Sequence, residues 1–211
     1  LLEMIGISKS FGLNQVLDEI HINVRAGEVL ALLGENGAGK STLIKILGGI
    51  YSKDKGEIYI EGDKKEIHSA ADAHKYGIRI IHQEIVLVPE RSVAANIFLG
   101  REIKTKTGFI NYKKIREETE KILQEFGVNL SPDEMVSNLT IGMQQMVEIM
   151  RAVSANAKIV VMDEPTSSLS EHETEILFGT IEKLKKRNVG IIYISHRMNE
   201  IFRIAQRVTV L

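Results

Sequence analysis

Gly34-Glu35-Asn36-Gly37-Ala38-Gly39-Lys40-Ser41 spells G-x-x-x-x-G-K-S, and its flanks decide the reading. The apolar run Val29–Leu33 precedes it and the helix-like 42–47 follows, so the motif sits where a strand turns into a helix. Such a turn gathers backbone N–H groups around an anion at the positive end of the helix. Glycines allow the required backbone angles and leave no Cβ in the way of a phosphate. Lys40 supplies a mobile cation for β- and γ-phosphates, and the Ser41 hydroxyl is a hard oxygen donor suited to Mg²⁺. The candidate nucleotide contacts are therefore Gly34, Glu35, Asn36, Gly37, Ala38, Gly39, Lys40, Ser41 and Thr42. The motif predicts a nucleoside triphosphate ligand.

A second constellation points to the same place. Ile159-Val160-Val161-Met162-Asp163-Glu164 is an apolar strand that ends in two acids. Ligands of parallel sheets gather beyond the carboxyl ends of the strands. Asp163 there suits the surroundings of Mg²⁺, and Glu164 is placed to polarise a water for in-line attack on a γ-phosphate. His196 follows the apolar run 190–195 and is expected at the same edge, able to hydrogen-bond the γ-phosphate or the attacking water. Gln83 ends the run 78–82, and its amide could reach the metal or that water. His21, His68, His74, His82 and His172 have no comparable placement and are read as structural or exposed.

Composition narrows the class. The 211 residues carry a net charge of −1, which argues against a chain whose main task is gripping nucleic acid. Zero cysteines exclude disulfides and thiolate metal sites and fit a reducing compartment. No apolar stretch approaches the ~20 residues of a membrane helix, and no signal peptide is visible. The first residue is Leu1 rather than Met, and the last strand-like run stops at Leu211, so an excerpt of a longer protein is expected.

Along the chain, residues 4–29 and 56–66 alternate in short apolar patterns broken by glycines, which predicts antiparallel strands. The runs 29–33, 78–82, 159–163 and 190–195 are almost continuously apolar, as buried parallel strands are. Between Glu84 and Ala157 the period becomes helical. Residues 112–126 place Ile115, Ile122, Leu123 and Phe126 on one face, with Gly127 as a stop. Ser131-Pro132-Asp133-Glu134 predicts a capped helix start, and 142–154 a further helix. The expectation is an α/β nucleotide-binding core with a mainly parallel sheet, an N-terminal antiparallel β-subdomain and an inserted α-helical subdomain. Residues 1–83 and 158–211 form the core in this reading, and 84–157 the helical part.

The order and spacing of these pieces resemble the nucleotide-binding cassette of ABC transporters, a P-loop NTPase fold, over essentially the whole chain. The resemblance implies ATP and Mg²⁺ as cofactors. It makes Gln83 the residue that senses metal and links the site to transmembrane subunits, with contact to them expected within 84–91. It makes Thr140-Ile141-Gly142-Met143-Gln144 the counterpart of the family signature, completing the ATP site of an opposite cassette, and 167–170 the D-loop. It makes His196 the switch histidine, Glu164 the catalytic carboxylate and Phe11 the aromatic that stacks on adenine. Phe11 is also hydrophobic enough to be core. Thr140, Ile141 and Met143 depart from the usual Ser, Gly and Gln, and Ser170 stands where the D-loop carries Asp. Ser170 and Glu173 also read locally as a capping box.

Several phrases are similar to the ATPases of monosaccharide importers of the ribose and galactose type, among them His82-Gln83-Glu84, Gln144-Gln145-Met146-Val147-Glu148 and Tyr193-Ile194-Ser195-His196. That likeness implies the first cassette of a tandem pair, peripheral at the cytoplasmic face of the membrane. It further implies permease subunits, a second cassette and, indirectly, an extracytoplasmic sugar-binding protein as partners. A non-transport ABC ATPase and a regulatory ATP-binding cassette remain open. A kinase or GTPase would need an acceptor site or a guanine-reading N-K-x-D, and neither is present.

Overall fold

A computed structural model describes all residues, Leu1–Leu211. The chain divides into two compact units. The first comprises Leu1–Ile81, Ala157–Glu164 and Leu184–Leu211, and the second His82–Asn156 and Pro165–Lys183.

The first unit holds both sheets. Strands β1 (Leu2–Phe11) and β2 (Asn14–Val24) form a hairpin in register Leu2↔Val24 to Phe11↔Asn14. After β3 (Val29–Leu33) and helix α1 (Lys40–Leu47), β4 (Lys55–Ile60) and β5 (Asp63–Lys65) complete an antiparallel sheet of order β2-β1-β4-β5. The expected antiparallel strands are there. Helix α2 (Ala70–Lys75), capped by the Ser69 hydroxyl, leads into β6 (Ile78–Ile81).

The second unit opens with α3 (Val93–Ile97) and α4 (Tyr112–Phe126), and α5 (Ile141–Ser154) follows. Asn111 caps α4 and Gly127, at φ 72°, ends it as expected. Thr119 is buried on its inward face beside Ile115, Leu123 and Phe126, whereas Ile122 is half-buried. No helix starts at Ser131. The Ser131 hydroxyl instead accepts from Asp133 N (3.3 Å), and Asp133 ion-pairs with Arg116 at 2.6 Å. Chain then continues into a bridge between Ser92 and Met135 and a single 3₁₀ turn, Val136–Asn138. The cap-like residues serve a turn because no apolar periodicity follows them to bury a helix face.

The chain returns to the first unit through β7 (Ile159–Asp163). Helix α6 (Glu171–Lys186) belongs to the second unit up to Lys183, and β8 (Gly190–Ile194), α7 (Met198–Ile204) and β9 (Arg207–Val210) follow in the first. The second sheet has the order β6-β7-β8-β3-β9 and every pairing is parallel. Its central strands are buried almost end to end: all of β8, and the first four residues of β3 and of β7. That is why they read as unbroken apolar runs. Each fully buried Ile or Leu contributes roughly 1.5–3 kcal/mol against exposure. One apolar cluster joins Leu2, Met4 and Ile58 of the antiparallel sheet, Leu43 and Leu47 of α1, and Leu30, Val161 and Ile192 of the parallel sheet.

This strand order positions the chemistry. β7, β8 and β3 are neighbours, with Asp163 opposite Ile194 and Val29 opposite Ile191. Their carboxyl ends, and the loops that leave them, therefore lie side by side.

Candidate functional site

The turn after β3 is built as its glycines predicted. Gly39 precedes α1 at φ 99°, and a methyl there would sit 2.5 Å from Leu17 Cδ2 and 3.0 Å from Val16 O. Only glycine combines that conformation with that closeness. Helix α1 has no side-chain cap and no acid in its first turn. Its leading N–H groups and positive dipole end are thus left for an external anion. Lys40 Nζ spans the turn, donating to Gly34 O at 2.6 Å and Glu35 O at 2.9 Å. An ammonium has three donors, so one remains for a phosphate.

Glu164 follows β7 and His196 follows β8, and the two meet: His196 Nε2 lies 2.8 Å from Glu164 Oε1. Glu164 holds φ 48°, a left-handed conformation costing a non-glycine residue roughly 1–3 kcal/mol. Its N–H donates to Ile194 O at 3.0 Å, which pins the strained residue to β8. A cleft of about 190 Å³ is lined by Leu32, Leu33, Gly34, Lys40, Ser195, His196 and Met198. A broader hollow of about 630 Å³ opens over Gly34–Ala38 and the last two residues. Lys40 and His196 line the smaller cleft, and Glu164 is joined to it through His196.

Ser41, exposed in the first turn of α1, and Asp163, at the last position of β7, supply oxygen donors fit for Mg²⁺. Mg²⁺ takes few protein ligands and completes its shell with phosphate and water, so a hydroxyl and one carboxylate suit it without a dense acidic cluster. Gln83, expected at a strand end, is exposed in the second unit's loop, two residues beyond β6. Phe11 ends β1 with 43% of its surface exposed, edge-on to Tyr51 at 5.2 Å between centroids. It is not core. The five other histidines are exposed.

In the second unit, α5 begins at Ile141, one residue earlier than expected. The Thr140 hydroxyl accepts from Met143 N at 3.2 Å and caps it. Ile141 and Met143 face outward, whereas Gln144 turns inward, its amide donating to Leu139 O at 3.1 Å. Gln144 thus holds the loop before the helix. Farther along α5, Glu148 accepts from Val86 N at 3.1 Å while Arg151 donates to Val86 O. Burial pushes the Glu148 carboxyl above its ordinary range, against the pull of Arg151 and that N–H.

Sequence reasoning found the Ser170–Glu173 capping box but not its neighbour. Glu173 accepts from Ser170 N at 2.8 Å and from Ser170 Oγ at 2.7 Å. The same carboxyl carbon lies 2.6 Å from where a Cβ on Gly142 would be. The glycine of α5 makes room for the acid that caps α6. In Gly142→Ala the added methyl opposes that cap, worth about 0.5–2 kcal/mol, against a helix gain of up to about 1 kcal/mol. Little net change is expected in urea unfolding. In a Glu173→Ala background the same substitution should stabilise, giving a coupling of about 1 kcal/mol. Additive effects would remove the contact.

Comparison with known proteins agrees with this geometry. Residues 17–167 match the family model described as ABC transporter. The chain belongs to the ABC transporter family. Among curated relatives, this ABC chain is 56% identical over 211 residues to the ribose import ATP-binding protein RbsA of Caldanaerobacter subterraneus subsp. tengcongensis, covering 100% of itself and 42% of that protein. It is 49% identical over 211 residues to the galactose/methyl galactoside import ATP-binding protein MglA of Salmonella typhimurium, again at 100% and 42% coverage. The chain spans less than half the length of these relatives. It also resembles the solved ADP conformation of an ATP-binding cassette of an ABC transporter, with TM-score 0.87, 28% identity, and coverage of 100% of this chain and 87% of that one. A nucleotide-free ABC cassette gives TM-score 0.87 at 27% identity, with the same coverage.

Proposed function

We propose that this chain binds Mg-ATP and hydrolyses it to power import of a monosaccharide of the ribose or galactose class. The transmembrane permease subunits through which it acts, a second ABC cassette with which it pairs, and an extracytoplasmic sugar-binding protein are its proposed partners. Its place is then the cytoplasmic face of the membrane, as a peripheral subunit without nucleic acid. One observation carries the enzymatic part: Lys40, Glu164 and His196 converge at the ends of three adjacent parallel strands.

In this reading the amides of Gly34–Thr42 and Lys40 hold the phosphates, and Phe11 supports the base. Ser41 and Asp163 hold Mg²⁺, with Gln83 assigned to it by resemblance. The metal, when bound, neutralises phosphate charge. Glu164 accepts a hydrogen bond from a water and takes up its proton as the water oxygen bonds to the γ-phosphorus and the bond to the β-phosphate oxygen breaks, leaving ADP and phosphate. His196 orients that water or the γ-phosphate. Thr140, Ile141, Gly142, Met143 and Gln144 are assigned to the partner's ATP site, with Gln144 acting on loop shape. Residues 84–157 are proposed as the helical subdomain and 1–83 with 158–211 as the core, a functional division that differs from the compact units in counting 165–183 with the core.

Thermal unfolding tests the binding claim directly. Free Mg-ATP at a hundred times its dissociation constant should stabilise the chain by about 2.7 kcal/mol, raising the melting temperature by several degrees. No shift and no calorimetric heat at millimolar Mg-ATP would overturn the proposal. Stimulation of hydrolysis by a sugar-loaded binding protein, in the assembled complex, tests the transport role.

A further inference from the structure

We infer that Glu200 is a positioning residue for His196, a role resting on the reading of His196 as the residue that orients water or γ-phosphate. His196 occupies the short link between β8 and α7, and its ring is half exposed, with Glu164 as its polar contact. Ring packing therefore does little to aim it. Its direction is set by the backbone on either side, and that backbone is tied across the histidine. Ser195 Oγ accepts from Arg197 N at 3.0 Å, bridging the residues before and after His196. The same hydroxyl donates to Glu200 Oε2 at 2.8 Å, so its proton is fixed toward that carboxylate and a lone pair toward Arg197 N. Tyr193 OH donates to that oxygen as well, at 2.8 Å, and the Arg197 guanidinium lies 3.4 Å from Oε1.

Position makes this arrangement hard to attribute to fold stability alone. Glu200 is 7% exposed, Ser195 4% and Tyr193 0%. A carboxylate withdrawn from water costs free energy that paired donors only offset, and a well-packed apolar side chain often serves stability as well. Here the carboxylate orients the hydroxyl that holds the His196 turn closed, one turn of α7 away. Tyr193 sits on β8 itself, so Glu200 ties the link and the helix start to the strand that delivers His196.

The test compares variants in the full-length protein assembled with its partner subunits. Glu200→Ala strands the Tyr193 and Ser195 hydroxyls and should lower kcat about 10–100-fold, by analogy with loss of the partner that orients a metal-bound imidazole, with KM for ATP nearly unchanged. Glu200→Gln keeps an acceptor oxygen and should restore turnover to within about threefold. Ser195→Ala, which removes the bridge and its bond to Glu200 but leaves Tyr193 and Arg197 on the carboxylate, should reproduce the kcat loss if Glu200→Ala proves unstable. In a His196→Ala background, Glu200→Ala should cost nothing further. An equal loss in both backgrounds, or a loss confined to KM, would overturn the inference.

Imidazole ¹H–¹⁵N spectra of the nucleotide-free chain separate this inference from the catalytic reading. Glu200→Ala should shift the His196 ring signals. Unmoved signals overturn the positioning role. Moved signals alongside turnover indifferent to His196→Ala leave the positioning role standing and remove the catalytic role of His196.

Discussion

Glu164→Gln should retain Mg-ATP binding and lose turnover by about 10²–10⁴-fold, the usual worth of a positioned general base. The amide keeps the side chain's shape, the left-handed backbone at φ 48° and an oxygen that can still accept from His196. What it loses is the capacity to take up the proton of the attacking water. The proposed nucleotide contacts come from the Gly34–Ser41 turn, on a different strand end, so the dissociation constant should hold within about threefold. Uncleaved ATP then persists, and ATP-dependent pairing of cassettes should become detectable by size-exclusion chromatography. Phosphate release from the full-length protein measures the first effect. Turnover that survives in Glu164→Gln removes Glu164 from its role, whatever the binding result.

Lys40→Ala acts on the opposite quantity. One charge-assisted hydrogen bond is worth about 1.5–3 kcal/mol, so loss of the ammonium should weaken Mg-ATP binding roughly 10–150-fold. The Gly34 and Glu35 carbonyls also lose the donor that spans them, which loosens the turn before any ligand arrives. Calorimetric titration with Mg-ATP reads the change. An unaltered dissociation constant would place the triphosphate elsewhere. The two substitutions should thus separate, one in kcat and the other in affinity, and a variant that moved both equally would signal misfolding rather than chemistry.

The parts legible in sequence are those whose cause is local. Gly39 must be glycine because of its own backbone angle and its nearest neighbours, and the apolar runs of β3, β7 and β8 advertise burial on both faces residue by residue. Asp163, Glu164 and His196 could be placed because a strand end fixes where the next residue emerges. Short helices escaped notice: α2 and α3 have 6 and 5 residues, too few for a period to declare itself. Ser131–Glu134 misled because cap chemistry is shared between helix starts and turns, and only a following apolar face separates them. Glu173 against Gly142, and Glu200 beneath the His196 link, depend on side chains meeting after the chain has folded. A glutamate between Ile201 and the turn reads as an ordinary surface residue until Tyr193 and Ser195 are seen to donate to it.

The placement of β8 between β7 and β3 fixes a dimension as well as an order. Two strand intervals amount to about 9–10 Å, and ladder hydrogen bonds keep that width nearly invariant. The carboxylate borne on one outer strand and the glycine-rich turn borne on the other are therefore held apart by a built-in ruler. The histidine rides on its midpoint. Side chains at the rim can be exchanged without altering that measure, whereas a slip of β8 would miscalibrate every component at once.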